Sequence, residues 1–263
     1  MPKNNLELIS VIIPAYKQES TILKDLENIK SNLDQIKYDY EILVVVDGKI
    51  DKTYELAKKL ESAKIKILAY EKNHGKGYAV RYGMARAKGD LVAFIDSGMD
   101  INPNGIRMMI EHLIWYQADV IVGSKRHPAS KVIYPFRRKI YSMLYQMLIW
   151  VLFGLKVKDT QVGLKLFRRA VLEDVLPRLL VKRYAFDIEL LAVARYLGYG
   201  KIYEAPVELD LSFPSSIKLT SVVNMLLDTL AVFYRLRILN YYSNENKRRW
   251  VYDPDLDYRV NVG

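Results

Sequence analysis

The chain has 263 residues, 40 basic against 30 acidic, which gives a net charge of +10, and just over half of its residues are hydrophobic. Such a composition buries a sizeable core and excludes wholesale disorder. The absence of cysteine excludes a disulfide framework, a thiol nucleophile and a zinc–thiolate site, while the positive excess points to an anionic partner: nucleic acid, an anionic membrane or a phosphorylated substrate.

In chain order, the N-terminal stretch MPKNNLELISVIIPAY has an apolar run too short and interrupted for a signal peptide. Short, β-branched apolar runs then predict buried strands at Leu8–Ile13, Glu41–Asp47, Ile65–Tyr70, Asp90–Asp96 and Val120–Gly123. Helical patterns separate them at Thr21–Leu33, Lys52–Leu60 (after Asp51 as N-cap), Gly77–Lys88 (closed by Gly89) and Asn104–Tyr116. This alternation predicts an α/β fold with a mostly parallel sheet flanked by helices. Beyond residue 124 the rhythm changes. A basic loop, Ser124–Lys139, precedes an apolar helix, Ile140–Phe153. A strand at Gly163–Phe167, helices at Arg168–Leu176 and Phe186–Tyr196, a strand at Ile202–Leu209 and a long amphipathic helix at Leu219–Leu239 follow. The last stretch, Ser243–Gly263, reads as a polar, loose tail. The expected organisation is therefore a first half over 1–124, a second half over 125–242 and a tail over 243–263. No segment reaches 18 uninterrupted apolar residues, and Ile140–Phe153 would measure about 21 Å as a helix against roughly 30 Å of bilayer hydrocarbon.

Ligands of open α/β sheets bind at the carboxyl ends of the strands. Here the strands are followed in turn by Pro14-Ala15-Tyr16-Lys17-Gln18-Glu19, by Asp47 itself, by Asn73-His74-Gly75-Lys76-Gly77, by Asp96-Ser97-Gly98-Met99-Asp100, and by Ser124-Lys125-Arg126. Carboxylates, glycines and cations on one edge favour a nucleotide site. Gly75-Lys76-Gly77-Tyr78-Ala79-Val80 has valine where a dinucleotide fingerprint needs its third glycine, and no phosphate-loop pattern is present. Asp96 and Asp100 suit a Mg²⁺ or Mn²⁺ ion bridging a diphosphate, although an aspartate before Pro103 also serves as an ordinary turn residue. Lys125, Arg126, Lys131, Arg137, Arg138 and Lys139 precede a helix carrying Tyr141, Tyr145 and Trp150. Aromatics on a Met/Leu/Ile-rich stripe fit core or lipid better than nucleic-acid bases, so the predicted partner is a membrane surface and not nucleic acid. His74, His112 and His127 lack metal-ligand spacing. The acidic pair Asp187 and Glu189, at the start of a predicted helix, suits the helix dipole.

The strings VIIPAY, NHGKGYAV, FIDSGMD, GSK, KDTQVGLKLF and AFDIELL resemble glycosyltransferase family 2, and within it the dolichyl- or polyprenyl-phosphate hexose synthases, over about residues 6–240. The resemblance implies a GT-A fold with a nucleotide-sugar half followed by an acceptor half. It implies an inverting transfer of a hexose from a nucleotide sugar (UDP-glucose first, GDP-mannose second) to a dolichyl or polyprenyl phosphate, with Mg²⁺ or Mn²⁺ as cofactor. Many members of the family carry separate transmembrane helices; with no spanning stretch here, the two amphipathic segments predict a peripheral enzyme at the cytoplasmic face of a membrane. Carried onto this sequence, Pro14, Ala15 and Tyr16 line the nucleotide pocket, Glu19 and Asp47 contact the nucleoside, and Asn73 and Lys76 serve the donor. Asp96 and Asp100 hold the metal. Lys125, Arg126, Arg138 and Ser142 hold the acceptor phosphate, and Asp159, Thr160 and Gln161 border the sugar. Gly98 stands where the family has the second aspartate of its metal motif, Gln18 where it has Glu, and Lys125 where it has Arg, whose bidentate geometry lysine lacks. Two other readings stay open: transfer to a sugar hydroxyl with Asp187 as base, and a degenerate nucleotide-sugar binder, for which Gly98 is the motive.

Overall fold

The computed structural model describes residues 6–98, 101–130, 136–182, 185–209, 219–243, 249–254 and 258–262, together with 245 and 256; for 136–140, 219–221, 249–250, 258 and 261–262 it describes the backbone alone. Seven strands form one sheet in the order β3-β2-β1-β4-β6-β5-β7. They are β1 (Leu8–Ala15), β2 (Asp39–Asp47), β3 (Ile65–Tyr70), β4 (Leu91–Ile95), β5 (Val120–Ser124), β6 (Leu164–Arg168) and β7 (Ile202–Pro206). β6 runs antiparallel to both β4 and β5, and the other pairings are parallel. Helices cover both faces, which is why the strands are nearly continuous in apolar residues. Along β1, Ile9, Val11 and Ile13 pack toward α1 (Ile22–Leu33) and α4 (Gly105–Trp115), while Ile12 packs toward α3 (Lys76–Met84) and α7 (Phe186–Tyr196). The chain reverses direction of travel between β1 and β4, so the crevice above the carboxyl ends of those two strands is the place where this architecture takes a ligand.

The remaining helices are α2 (Thr53–Lys58), α5 (Phe136–Phe153), α6 (Arg169–Val175) and α8 (Leu219–Arg237). Three expectations need correction. The α3 helix stops at Met84, and Gly89 is not its cap. A Cβ on Gly89 would lie 2.5 Å from the Ser10 amide nitrogen, and its own N–H donates to Ser10 Oγ at 2.8 Å, so the glycine permits close approach to β1. The α5 helix begins at Phe136, so Arg137, Arg138 and Lys139 lie on its first turn and not in a loop before it. The tail is not loose: β8 (Arg249–Asp253) and β9 (Tyr258–Val262) form an antiparallel hairpin, with Leu256 buried between them.

α5 and α8 are joined by a Tyr145–Thr229 hydroxyl contact of 2.8 Å and by a Phe153–Phe233 edge contact. Ile149, Phe153, Val232 and Leu236 turn inward, whereas Tyr141, Met143, Leu144, Met147, Trp150 and Val151 of α5 and Leu227, Tyr234 and Ile238 nearby on α8 and after it are each more than half exposed. Scattered apolar side chains need no explanation, but two helices presenting such rows do. Among the described residues no helix is long and apolar enough to cross a membrane.

Candidate functional site

β1, β2 and β4 end around one cleft of about 550 Å³, a size suited to a small-molecule ligand. Pro14, Ala15 and Tyr16 continue β1 into its wall, and Gln18 follows them. Glu19, expected here, is not among the lining residues: it is exposed, and its Oε2 accepts the Lys52 amide at 3.1 Å, which fastens residue 19 to the start of α2. The carboxylate of Asp47, at the end of β2, is 2% exposed and faces the cleft from inside a cage of donors. Oδ1 accepts from the Tyr70 hydroxyl (3.0 Å) and the His74 amide (2.7 Å), and Oδ2 from Asn73 Nδ2 (2.7 Å) and the Gly75 amide (2.9 Å). Four hydrogen bonds on one carboxylate make Asp47 the anchor of the loop that delivers Asn73, Gly75 and Lys76 to the cleft. Burial, followed by the Asp47 charge, pushes the Tyr70 phenol far above its ordinary value.

Asp96 stands just past β4, held by its amide to the Gly163 carbonyl at 2.8 Å. Its carboxylate occupies the space that a side chain at 163 would fill: a Cβ there would lie 1.8 Å from Oδ2. The following turn is fixed by Ser97 Oγ donating to the Pro14 carbonyl (2.8 Å) and by buried Asp25 of α1 accepting the Gly98 amide (2.9 Å). Gly98 has φ +113°, a conformation that disfavours an aspartate at this position.

Two ion pairs meet at the bottom of the cleft. Lys76 Nζ lies 2.7 Å from Asp96 Oδ1 and donates to Oδ2 at 2.8 Å. Lys165 on β6 donates to Asp187 Oδ1 (2.6 Å) and to the Val162 carbonyl (2.7 Å), and it is fully buried. Both ammonium groups flank the Phe94 ring, at 5.6 and 5.0 Å from its centroid. Burial lowers the pKa of Lys165, and Asp187 only partly opposes it. Burial also pulls on Lys76, but Asp96 and then Asp187 more than offset it, so its pKa is raised. Asp187 and Gln161 complete the cleft wall.

The expected acceptor residues gather beside the cleft at the end of β5. Arg126 donates through its guanidinium to Ser142 Oγ on α5 at 2.7 Å, and Asp159 Oδ1 accepts the Gln161 amide at 3.1 Å, while Oδ2 lies near the Lys125 amide. Thr160, expected beside the sugar, is fully buried with its hydroxyl toward Gln146 of α5 and is not among the residues lining the cleft, whereas Gln161 is. The side chain of Arg138 and the whole of Asp100 lie outside the described residues. His127 closes its own turn by accepting the Ala129 amide, and burial lowers the pKa of His112 on α4. Asp187 and Glu189 lie in the first turn of α7, as expected, and Glu189 is in addition fully buried, accepting the Leu180 and Val181 amides and the Tyr242 hydroxyl, with Arg235 of α8 at 3.5 Å.

Sequence reading placed Gln18 and Ser97 on the site edge without a role and missed Lys165, Asp25 and Gly163 as site-forming residues. Lys165 did leave a signal: a lone cation inside the apolar run Leu164–Phe167 must be paired if that run is a central strand.

A divalent ion fits what is described. Asp96 Oδ1 is buried and its one described polar neighbour is the Lys76 ammonium at 2.7 Å, so it already faces a cation inside a cleft wide enough for a diphosphate, and a metal ion would take that ammonium's place. Among the described residues no three His, Asp or Glu side chains converge, so these residues would supply Asp96, with phosphate oxygens and water as further donors, while Asp100 lies outside the described residues. That donor set suits Mg²⁺ or Mn²⁺ held largely by its nucleotide.

Residues 10–176 match the model of the family described as Glycosyl transferase family 2. A dolichyl-phosphate beta-glucosyltransferase of Trichomonas vaginalis is 34% identical over 250 residues, 88% of this chain and 75% of that relative. A UDP-N-acetylglucosamine–dolichyl-phosphate N-acetylglucosaminyltransferase of Methanococcus voltae is 28% identical, over 89% of this chain and 96% of its own length. Among solved structures, glucosyl-3-phosphoglycerate synthase of Mycobacterium tuberculosis, crystallised with Mn²⁺, UDP and phosphoglyceric acid, superposes with a TM-score of 0.66 at 20% identity, covering 97% of this chain and 87% of that one. The shared architecture is the GT-A glycosyltransferase fold.

Proposed function

The chain belongs to glycosyl transferase family 2 and is a glycosyltransferase, and from that premise we propose that it moves glucose from UDP-glucose to a dolichyl or polyprenyl phosphate with inversion at the anomeric carbon. The observation that carries the reading is the juxtaposition of a diphosphate-sized cleft floored by Asp96 with the Arg126–Ser142 pair at the start of an apolar, outward-facing helix. The first suits a nucleotide sugar and the second a phosphate whose hydrocarbon tail lies in a membrane surface. The names of the Trichomonas and Methanococcus relatives, both acting on dolichyl phosphate, support the same acceptor.

In this mechanism the Asp47-anchored loop and the β1 extension hold the nucleotide, and Gln161 and Asp187 fix the sugar above Asp96. A Mg²⁺ or Mn²⁺ ion, when bound, neutralises the departing diphosphate. Lys125 and Arg126 hold the acceptor phosphate, one of whose oxygens attacks the anomeric carbon from the face opposite the leaving group. The new bond joins that carbon to phosphate oxygen, the bond to the nucleoside diphosphate breaks, and the electron pair leaves with the diphosphate. A phosphate monoester is already ionised near neutral pH, so no strong base is required. Asp187 fits that division of labour, since Lys165 fixes it as a charge partner. Rate enhancement then comes from positioning and electrostatics.

The membrane face completes the proposal. The exposed rows of α5 and α8 would lie in the interface, consistent with a peripheral enzyme, whose proposed place is the cytoplasmic face of a membrane. The test is incubation of the purified protein with Mn²⁺, labelled UDP-glucose and dolichyl phosphate, followed by solvent extraction. Label in the organic phase supports the proposal. Label only in water-soluble glycosides supports transfer to a hydroxyl with Asp187 as base, and donor binding without turnover supports a degenerate binder.

A further inference from the structure

The ion pair at the base of the cleft places a partly exposed cation on the one described carboxylate that would hold a metal. Asp96 itself has little freedom: its amide is bound to the Gly163 carbonyl, and its carboxylate is seated against the bare Cα of residue 163. Lys76 is the opposite case, a four-carbon stem on the first residue of α3, with its side chain 37% exposed to the cleft. Its ammonium spans both Asp96 oxygens, at 2.7 and 2.8 Å. Lys165, fully buried and bound to Asp187 and the Val162 carbonyl, cannot leave in its place. The four side chains, two ammonium groups and two carboxylates, form a neutral set. A divalent ion entering alone makes that set doubly positive around a partly buried floor. Entering with a nucleoside diphosphate, it does not, and the diphosphate offers Lys76 new anionic oxygens.

We propose that Lys76 and a divalent cation are alternative counter-ions of Asp96, so that Lys76 makes metal binding conditional on the nucleoside diphosphate. The inference deepens the proposed function and rests on its reading of Asp96 as the metal-facing carboxylate. The metal binds weakly to the protein alone, and the nucleotide strengthens it by drawing Lys76 off Asp96 and onto its own phosphates. By linkage the metal strengthens nucleotide binding by the same factor. An enzyme built this way discriminates against free metal and assembles its floor only around a nucleoside diphosphate.

The experiment measures Mn²⁺ affinity of the full chain by electron paramagnetic resonance, with and without UDP. In wild type, UDP should raise Mn²⁺ affinity by about tenfold or more. Lys76→Gln should raise Mn²⁺ affinity without UDP by about tenfold and shrink the UDP effect. Lys76→Arg, which keeps the counter-ion, should behave as wild type does. Lys72→Gln removes an exposed charge from the same loop away from Asp96 and should change affinity by less than about twofold. Unchanged or weaker Mn²⁺ binding in Lys76→Gln, with native circular dichroism, overturns the inference, as does an equal rise in Lys72→Gln. Asp96→Asn separates the two levels. If it leaves Mn²⁺ binding intact, the placement of the metal fails and the inference with it. If it abolishes binding while Lys76→Gln has no effect, the inference alone fails.

Discussion

Gly163→Ala is the smallest change that moves Asp96 without touching it. The added methyl carbon would start 1.8 Å from Asp96 Oδ2 and 2.1 Å from Cγ, where side-chain carbons essentially never approach within 3.0 Å. The carboxylate must therefore retreat by more than about 1 Å, or β6 must shift away from β4. Residue 163 has no left-handed backbone angle, so the alanine adds no dihedral strain and the effect is purely one of space. A displacement of about 1 Å in a positioning group costs on the order of 100-fold in rate. Overpacking at such a site costs about 1–3 kcal/mol of stability. The assay is the initial rate of label transfer to the extractable lipid product at saturating donor, beside urea denaturation of both proteins. A rate within about threefold of wild type, with the fold intact, would refute the claim that Asp96 must occupy this seat.

Other parts of the molecule give equally direct expectations. Glu189→Ala strips a fully buried carboxylate from two amides, the Tyr242 hydroxyl and Arg235, and should cost about 3–5 kcal/mol in urea denaturation; a loss below about 1 kcal/mol would contradict the network. Burial works against ionisation of Glu41, yet hydrogen bonds from Ser10 and the Lys88 amide and the Lys66 ammonium outweigh it and hold its pKa below the ordinary value. Its contribution is therefore present above the unfolded glutamate pKa near 4.5 and lost as pH falls through the lowered folded value, so Glu41→Gln should flatten the acid limb of a stability–pH curve. Met147→Glu combined with Leu227→Glu should weaken binding to vesicles of anionic lipid by about tenfold or more while leaving melting temperature unchanged; unaltered vesicle binding would remove the α5–α8 face from the membrane reading.

The first half of the fold was legible because its strands are short, β-branched and punctuated by turn residues, and because helices on both faces force apolar runs with no alternation. The site edge was legible for the same reason: once strands are placed, Pro14, Asp47, Lys76 and Asp96 fall on one side of the sheet. What sequence reading could not supply was pairing across distant segments. The antiparallel insertion of β6 between β4 and β5 brings Gly163 and Lys165 to Asp96 and Asp187, across 67 residues of chain in the first case and 22 in the second. The turn after β1 puts Gln18 on the cleft wall and ties Glu19 to the Lys52 amide, a contact with a residue 33 positions on that the sequence does not reveal. The C-terminal hairpin escaped because the charged residues in and before it resemble a tail, although its register runs from Asp253 opposite Tyr258 to Arg249 opposite Val262.

The most direct measurement compares wild type and Asp96→Asn side by side for transfer of label from UDP-glucose into solvent-extracted dolichyl phosphate with Mn²⁺ present. The account predicts an organic-phase glucosyl product for wild type and a loss of about 100-fold or more for Asp96→Asn at an unchanged melting temperature. Equal rates for the two proteins, or label that never enters the lipid phase, would contradict it.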